Sequence, residues 1–400
     1  MSLSQIQEPG LIRPVNNPLP IVYGSSFSGE DGFRYKVELL TSGGTLLTEV
    51  WIYPDTDYSN YCIYDFSMLM SDNVGSNKDN WNASGYTDSW ESTGVYKYRI
   101  TEYIGITSGS TTTSDNLYTF RGVVQYGTDW DYTSHVPAIG RESNFLSNKS
   151  HYKYKTDEWA TINTFTGNWD LVVIDTYNGD YLVRYTYENT ISWLHLFSII
   201  TLPIGPANLN LMSNGGSITN SGTTLPVVGD LIDDSIVWYE IHLQNGINVV
   251  SETIKIYVDQ NCYKHNGIQF LYLGELSTYE TFSARMADIK GFNTKRSEVK
   301  TNYNKFNGTT YGYEIGDRGR SIVNITNQEE HEVLTDWILD NQVTDLMELF
   351  NSPDVYIIVS GEIYPIIITT KSYEQKTVRN NRLFNYKIGF DLAFEKLSNI

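Results

Sequence analysis

Phe384-Asn-Tyr-Lys-Ile-Gly-Phe-Asp-Leu-Ala-Phe-Glu395 is the stretch in which apolar and polar residues alternate most regularly. A period of two is typical of a β-strand with one buried face, because successive side chains point to opposite sides of a sheet. The apolar residues at alternate positions from Phe384 to Phe394 are expected to share that face. The pattern predicts a strand near the end of the chain and a β-rich fold.

Alternating segments also occur upstream, in pairs that are separated by turn residues. The segment from Phe33 to Leu39 is followed by Ser42-Gly43-Gly44 and then by Leu46 to Tyr53. Two alternating runs on either side of a short glycine-containing turn are typical of a β-hairpin. Three further pairs have this form, namely residues 169–176 with 181–187, 235–243 with 249–259, and 355–359 with 364–369.

The amino-acid composition supports many strands. The chain contains 31 Tyr, 15 Phe and 9 Trp, with 31 Gly and only 11 Pro. Aromatic and β-branched side chains favour strands because they fit a pleated, half-buried surface. Frequent Asn, Gly, Ser and Asp supply the turns between them. We therefore expect a mainly β protein.

The length of the chain predicts several domains, since 400 residues exceed one typical domain. We expect an irregular N-terminal arm, two β-sandwich-like (Ig-like) domains and an α+β C-terminal domain. The expected bounds are 1–17 for the arm, 18–165 for the first sandwich with its long loops, 166–300 for the second sandwich, and 301–400 for the α+β domain with one helix region and C-terminal strands.

A helix is predicted in the last hundred residues. Thr326-Asn-Gln-Glu329 matches a capping box, in which side chains satisfy the free N–H groups of a helix start. Asn351-Ser-Pro353 would end the helix, since proline cannot extend it. The apolar residues between them at helical spacing are Val333, Leu334, Trp337, Ile338, Leu346, Met347 and Phe350.

Two polar segments are predicted to be loops. Residues 71–94 are rich in Asn, Ser and Asp, which indicates a long surface loop. Ser108 to Ser114 is of low complexity and is expected to be a hairpin tip or a flexible loop.

The charge of the chain argues against two classes of partner. The net charge is −19, from 47 acidic and 28 basic residues. Proteins that wrap nucleic acid or lie on anionic membranes need Lys and Arg to neutralise phosphates. No apolar run approaches the roughly 20 residues of a membrane span. We expect a soluble protein without membrane insertion, and the negative charge does not forbid DNA from passing near an acidic surface.

The N-terminal residues and the cysteines indicate assembly in a reducing cytosol. Met1 to Gly10 has neither the basic nor the apolar region of a secretory signal. Cys62 and Cys262 are expected to be reduced thiols, with Cys262 a small core residue.

Motifs that could carry chemistry are few. Asp129-Trp-Asp131 offers two spaced carboxylates, and Asp55-Thr-Asp57-Tyr-Ser59 begins like a calcium loop, but Asn60 and Phe66 replace its glycine and glutamate. Cys262 and His265 have a metal-ligand spacing without a second pair. We interpret all of these as loop or structural residues, and we expect no catalytic, metal or cofactor site.

Candidate contact residues fall into two groups. Arg318 and Arg320 lie on a predicted turn, where guanidinium groups can hold a phosphate or a carboxylate of a partner. Four tryptophans in polar segments could anchor subunit interfaces or bind glycans, and they are Trp81, Trp90, Trp130 and Trp159.

An ordered series of motifs in the second half of the chain resembles a phage family. The motifs are Ile254-Lys-Ile-Tyr-Val-Asp259, then Cys262, then Ile268-Gln-Phe-Leu-Tyr-Leu-Gly274, then Tyr279-Glu-Thr-Phe282. Together they are similar to virion proteins of phages that infect Bacteroidetes, including the crAss-like phages. Tyr272 and Glu275 stand where that pattern usually has Asn and a second Gly.

The resemblance extends to both ends of the chain. It includes Asn16-Asn17-Pro18 near the start and Glu348-Leu-Phe-Asn-Ser-Pro353 near the end. The family implies a tail or neck ring protein of a short-tailed phage, stacked below the portal. It implies a homo-oligomer of about twelve subunits closed by head-to-tail contacts, with the portal and other tail ring or hub proteins as partners. The family has no catalytic residues to transfer.

A second hypothesis is a tail fibre or adhesin module that binds a receptor or a carbohydrate. It requires exposed coplanar aromatic residues, and fibres tend to contain repeats, which this sequence lacks. A glycoside hydrolase would need two carboxylates at a defined separation, and nothing in the sequence nominates that pair.

Overall fold

The protein is described here by a computed structural model. The described residues are 3–397, apart from 55–59, 72, 76–77, 86, 89–92, 124–144, 148, 150, 166, 168, 189–198, 222–226, 228, 264–266, 301–304, 307, 313–319, 340–341, 371–382 and 395. In these residues the fold is mainly β, as the composition predicts.

The chain forms two compact units. The first contains Met1–Gln260 and Leu273–Glu280, and the second contains Asn261–Tyr272 and Thr281–Ile400. The domain boundaries expected near residues 165 and 300 stay predictions.

Up to residue 260 the described strands are short and numerous. They are β1 (Leu3–Gln7), β2 (Ile12–Pro14), β3 (Pro20–Ser25), β4 (Phe33–Thr41), β5 (Leu46–Ile52), β6 (Cys62–Asp65), β7 (Thr87–Asp88), β8 (Thr93–Ile104), β9 (Thr107–Thr113), β10 (Leu117–Phe120), β11 (Tyr152–Tyr154), β12 (Thr161–Phe165), β13 (Leu171–Tyr177), β14 (Tyr181–Glu188), β15 (Ile199–Pro203), β16 (Thr219–Asn220), β17 (Trp238–Asn245), β18 (Asn248–Val249) and β19 (Ile254–Val258). The helices are α1 (Ser67–Ser71), a 3₁₀ helix (Lys78–Asn82) and α2 (Pro206–Asn214).

These strands form two larger and two smaller sheets. The larger ones have the orders β2-β10-β8-β4-β5, with β9 paired to β8, and β11-β19-β17-β13-β14-β16, with β18 paired to β17. The smaller ones have the orders β1-β3-β6 and β12-β15-β7.

The first unit contains two large apolar cores. One is built from residues between Leu3 and Leu117, and the other from residues between Phe145 and Val258. Alternation produces them: in β17, for example, Tyr239, Ile241 and Leu243 are buried on one face of the strand.

From residue 268 onward the described strands are β20 (Ile268–Leu273), β21 (Tyr279–Ala284), β22 (Ala287–Lys300), β23 (Lys305–Phe306), β24 (Tyr311–Gly312), β25 (Arg320–Leu334), β26 (Ile338–Leu339), β27 (Val355–Val359), β28 (Glu362–Ile368), β29 (Leu383–Phe384), β30 (Lys387–Leu392) and β31 (Lys396–Leu397). The main sheet has the order β21-β20-β27-β28-β30-β25-β22, with β31 paired to β25. Helix α3 spans Val343–Asn351.

All four predicted hairpins are confirmed. The register pairs β4 with β5, β13 with β14, β17 with β19 and β27 with β28, each antiparallel. The C-terminal strand is also present, although β30 is shorter than the alternation suggested, and Ile388 and Phe390 are fully buried in it.

The predicted start of the helix is wrong. Thr326 to Glu329 belongs to strand β25, which pairs with β22 along its whole length and with β30 at Glu330–Leu334. Helix α3 begins only at Val343. Pairing on both sides outweighs the local capping motif, because each strand residue gains hydrogen bonds from a distant segment.

Three other segments differ from expectation. The arm expected at 1–17 contains β1, which pairs with β3, and β2, which runs parallel to β10. Ser108 to Ser114 is not a hairpin tip, since Thr107–Thr113 forms β9 against β8. The loop expected at 71–94 contains the 3₁₀ helix Lys78–Asn82. Backbone pairing places the first two of these segments in sheets, and the third contains the buried Trp81 ring.

Within the described residues, no helix combines the length and the apolar character that a membrane crossing requires.

Candidate functional site

The longest strand pair in the described residues is an antiparallel β-ribbon in the second unit. It consists of β22 (Ala287–Lys300) paired with β25 (Arg320–Leu334), and we call it the ribbon. The register runs from Ala287 opposite Leu334 to Lys300 opposite Arg320, with one irregularity after Ser297. At about 3.4 Å per residue, a 14-residue antiparallel strand is roughly 45 Å long.

One edge of the ribbon is free in the part of the chain that the structure describes. Strand β22 is the last strand in the sheet order and pairs only with β25. On the other side, β30 covers Glu330–Leu334 and β31 covers Thr326–Asn327, so Arg320–Ile325 is not covered by a third described strand. A free edge presents backbone N–H and C=O groups that can pair with another chain.

Large apolar side chains project from the ribbon into solvent. They are 50–68% exposed, and they are Ile289, Phe292, Val299, Ile322 and Val323. Because strand side chains alternate, Ile289 and Val299 lie on one face of β22 and Phe292 lies on the other. Exposed apolar side chains concentrated on one element mark interaction surfaces.

The far part of the ribbon is basic, although the chain is acidic. Residues 292–300 of β22 and 320–326 of β25 contain four Lys or Arg and one Asp or Glu, a net charge of +3. The whole chain carries −19, so the remaining residues carry −22. The ribbon therefore presents positive charge on a strongly negative protein.

The base of the ribbon is held to the sheet by a polar and aromatic cluster. The Lys290 ammonium is ion-paired with the buried Glu329, and His331 Nε2 lies 3.2 Å from Glu329 Oε1. His331 Nδ1 lies 3.0 Å from Asp288 Oδ1. The imidazole ring stacks on Phe390, with 4.8 Å between ring centroids. The cluster anchors the near end of the ribbon, whereas at Arg320–Ile325 the described strands provide only the pairing of β22 with β25.

Asp391 lies beside this cluster on β30. Burial and the nearby Glu330 raise the pKa of its carboxyl above the usual 3.8, against a lowering by Lys295. Gln328 Nε2 donates a hydrogen bond to Asp391 Oδ2 at 3.0 Å. Ionisation of this carboxyl therefore costs more free energy in the folded state than in the unfolded chain.

We expect Asp391→Asn to stabilise the second unit slightly at pH 7, by about 0.5 kcal/mol, the size typical of partly exposed charge interactions. The amide keeps an oxygen for Gln328 and removes the disfavoured charge. Because the pKa of Asp391 is raised, the folded state binds more protons than the unfolded chain just above pH 3.8. The gain in free energy of unfolding from the variant must therefore shrink as the pH falls through the pKa of the folded state.

Urea denaturation of the wild type and of Asp391→Asn, from pH 7 down to pH 3.8, measures the difference between their free energies of unfolding. An advantage of the variant that is constant with pH would show that packing, and not charge, is responsible.

A second exposed edge lies in the first unit. Strand β5 pairs only with β4 among the described strands and exposes Leu46, Leu47 and Trp51. The guanidinium carbon of Arg34 lies 4.2 Å from the centroid of the Trp51 ring, and Tyr103 packs edge-on against this ring at 4.9 Å. Lys36 beside this edge is ion-paired with Glu38 and with Glu49 of β5, so the carboxylates here already have a cationic partner.

The predicted contact residues have different surroundings. Trp81 is only 6% exposed and packs edge-on against Trp159 at 5.5 Å, so the expectation that these indoles are surface contacts is wrong for Trp81. Asn208 of α2 donates hydrogen bonds to the carbonyls of Trp81 and Ala83. The indole pair is brought inward by contacts across more than 70 residues of chain, which local composition does not reveal.

Arg320 is exposed, and its Nη1 lies 3.5 Å from Glu298 Oε2 of the paired strand. Trp90, Trp130 and Arg318 lie outside the described residues. The five apolar ribbon residues were not singled out from the sequence. Their only local signal is the density of β-branched residues at Ile322-Val-Asn-Ile-Thr326.

A row of aromatic rings lies on the sheet β11-β19-β17-β13-β14-β16 of the first unit. Tyr177 lies parallel to Trp238 at 5.2 Å, and Lys255 Nζ lies 4.1 Å from the Trp238 ring. Lys255 also lies 5.2 Å from the Tyr257 ring, against which His151 stacks at 5.6 Å. Because β13 and β19 flank β17 on opposite sides, both faces of Trp238 are covered. A sugar ring would find no open face on this indole.

The motifs considered for chemistry give no assembled site in the described part of the chain. No group of three or more His, Cys, Asp or Glu that could hold a metal ion is present there. Cys262 is exposed, so its assignment to the core is wrong, while Cys62 is buried and burial raises the pKa of its thiol to about 12. Residues 55–59, His265 and Asp129-Trp-Asp131 lie outside the described residues.

A scan against protein-family models found no match, and a search of curated proteins found no similar protein.

Proposed function

We propose that this protein is a structural subunit of a phage virion, without catalytic activity, that assembles into an oligomeric ring in the tail or neck below the portal. The observation that carries the proposal is the ribbon, a free strand edge with exposed apolar side chains. Such an edge needs a protein partner, because an uncovered edge of this length invites uncontrolled pairing. The ordered sequence resemblance to virion proteins of crAss-like phages supports the same assignment.

The partners follow from this assignment. The ring contains about twelve identical subunits in head-to-tail contact, and it binds the portal and other tail ring or hub proteins. It forms part of the channel for DNA ejection, with DNA only as passing cargo. The excess of acidic residues suits that role, since like charge keeps DNA from adhering to a channel wall. The protein assembles in the bacterial cytoplasm and remains in the virion.

We also infer that the first unit consists of two β-sandwich-like, Ig-like domains, followed by an α+β C-terminal domain. Two separate apolar cores in the first unit support the pair of sandwiches. A third core, built from β-strands and from Leu346 and Leu349 of α3, supports the α+β assignment.

The solution mass of the purified protein tests the proposed function. We expect light scattering to give a mass several-fold above the 45.6 kDa of one chain, and negative-stain images to show closed rings. Trimers that change on addition of glycans would support a receptor-binding fibre instead. A stable monomer that cleaves a polysaccharide would overturn both the ring hypothesis and the fibre hypothesis.

A further inference from the structure

We propose that the ribbon is the arm by which one copy of this protein binds the acidic body of a second copy. This inference rests on the proposed function and names the surface that builds the oligomer. Three observations lead to it: the exposed apolar residues on the ribbon, the charge at its far end, and the lack of a third described strand beside Arg320–Ile325.

The ribbon is short of packing partners. Beyond Thr326 the two strands have no third described strand beside them, and Phe292, Val299, Ile322 and Val323 point into solvent. An isolated two-stranded hairpin is at best marginally stable in water. A surface that covers these side chains would hold the ribbon in place, so the ribbon requires an occupant on at least one of its faces.

The charge of the ribbon selects an acidic occupant. In the part of the chain that the structure describes, no carboxylate forms an ion pair with Arg296 or Lys300. By contrast, the basic residues at its base, Lys290 and Lys387, are paired with Glu329 and Glu332. The far end therefore offers unpaired positive charge beside apolar side chains, and a matching surface must be negative and partly apolar.

A second copy of the chain provides such a surface. Outside residues 292–326 each copy carries a net charge of −22. Nucleic acid is also negative, and a two-stranded ribbon fits a major groove. Four large exposed apolar side chains on this ribbon have no counterpart on a phosphate backbone, which favours protein over nucleic acid.

The contact joins two different surfaces, the arm of one copy and the body of the next. Such a heterologous contact does not close on itself after two copies. It continues until a ring closes, which is the geometry that a ring subunit needs.

The test uses the full-length protein with Arg296→Glu and Lys300→Glu together. The control is Lys78→Glu with Lys97→Glu, which changes the net charge equally at positions outside the ribbon. Sedimentation velocity at about 0.05 M and about 0.5 M NaCl spans strong and weak screening of charges. Thermal melting of each variant checks that the substitutions leave the fold intact.

We expect the wild type and the control to form oligomers at low salt, and we expect their self-association to be weaker at high salt. The ribbon variant is expected to associate roughly tenfold more weakly or to remain monomeric. If the ribbon variant assembles like the wild type, the inference about the ribbon is overturned and the proposed ring function stands. If the wild type does not assemble under either condition, the proposed function fails and the inference fails with it.

A further measurement adds a short double-stranded DNA to the wild type and to the ribbon variant and tests for binding. We expect the DNA to bind neither the wild type nor the ribbon variant. Binding that the ribbon substitutions abolish, with self-association unchanged, would overturn the inference and assign the ribbon to nucleic acid.

Discussion

Phe390→Ala is expected to lower the free energy of unfolding of the second unit by about 3–5 kcal/mol, the range for removing a large aromatic side chain from a core. Phe390 is fully buried, and its ring packs edge-on against Phe270 at 5.5 Å. Its other neighbour is His331, which stacks on it at the base of the ribbon. Truncation leaves a cavity between β20, β30 and β25 and removes the surface on which the ribbon is anchored.

Urea denaturation measured by circular dichroism checks this value. Phe394→Ala is the matched control, because Phe394 is four residues away on the same segment but 41% exposed. The control should change the free energy of unfolding by less than about 1 kcal/mol, as for most exposed positions. Similar losses for both variants would show that Phe390 has no special place in the core.

Gly205→Ala is expected to destabilise the first unit by at least about 2 kcal/mol, within the range for overpacking a filled interior. Gly205 precedes α2 with φ −72° and ψ 151°, a conformation open to any residue, so its backbone dihedrals are not strained. A Cβ atom at this position would overlap the backbone nitrogen of Ala160 and lie 2.8 Å from the carbonyl carbon of Trp159. Backbone atoms cannot rotate away as a side chain can, so β12 and α2 would have to separate.

The separation would weaken specific hydrogen bonds. The N–H of Gly205 donates to the carbonyl of Ala160, and the N–H of Ala160 donates to Asn208 Oδ1. Thermal melting of the variant should show a lower midpoint for the first unit. Gly43→Ala is the control, since its Cβ would lie 3.8 Å from Thr41 Oγ1, an ordinary contact. Equal midpoints for the two variants would contradict the predicted overlap.

Hairpins were predictable because the information for them is local. Alternating residues on either side of a short turn determine both the strand faces and the pairing, as in β4 and β5, where Phe33, Tyr35 and Val37 are buried and the Ser42-Gly43-Gly44 turn joins the strands. The same alternation places Ile388 and Phe390 in the core of the second unit. The net charge of −19 is likewise read directly from the sequence.

The candidate site was not predictable in the same way. Residues 326–329 match a helix cap locally, yet they form a strand because Phe292 to Lys295 lies opposite them. That pairing joins segments more than 30 residues apart, and neither segment alone contains its partner. The position of β22 at the edge of the described strands is likewise a property of the sheet order.

The sequence by itself therefore determined the mainly β character, the hairpins, the buried faces of their strands and the acidic net charge. Each depends on side-chain period, turn chemistry or composition, which act over a few residues or by simple summation. Only the tertiary structure decided that Trp81 is buried against Trp159, that residues 320–334 are a strand, and that β22 lies at an edge. These features depend on hydrogen bonds and packing between distant segments, whose free energy outweighs the local preference of either segment.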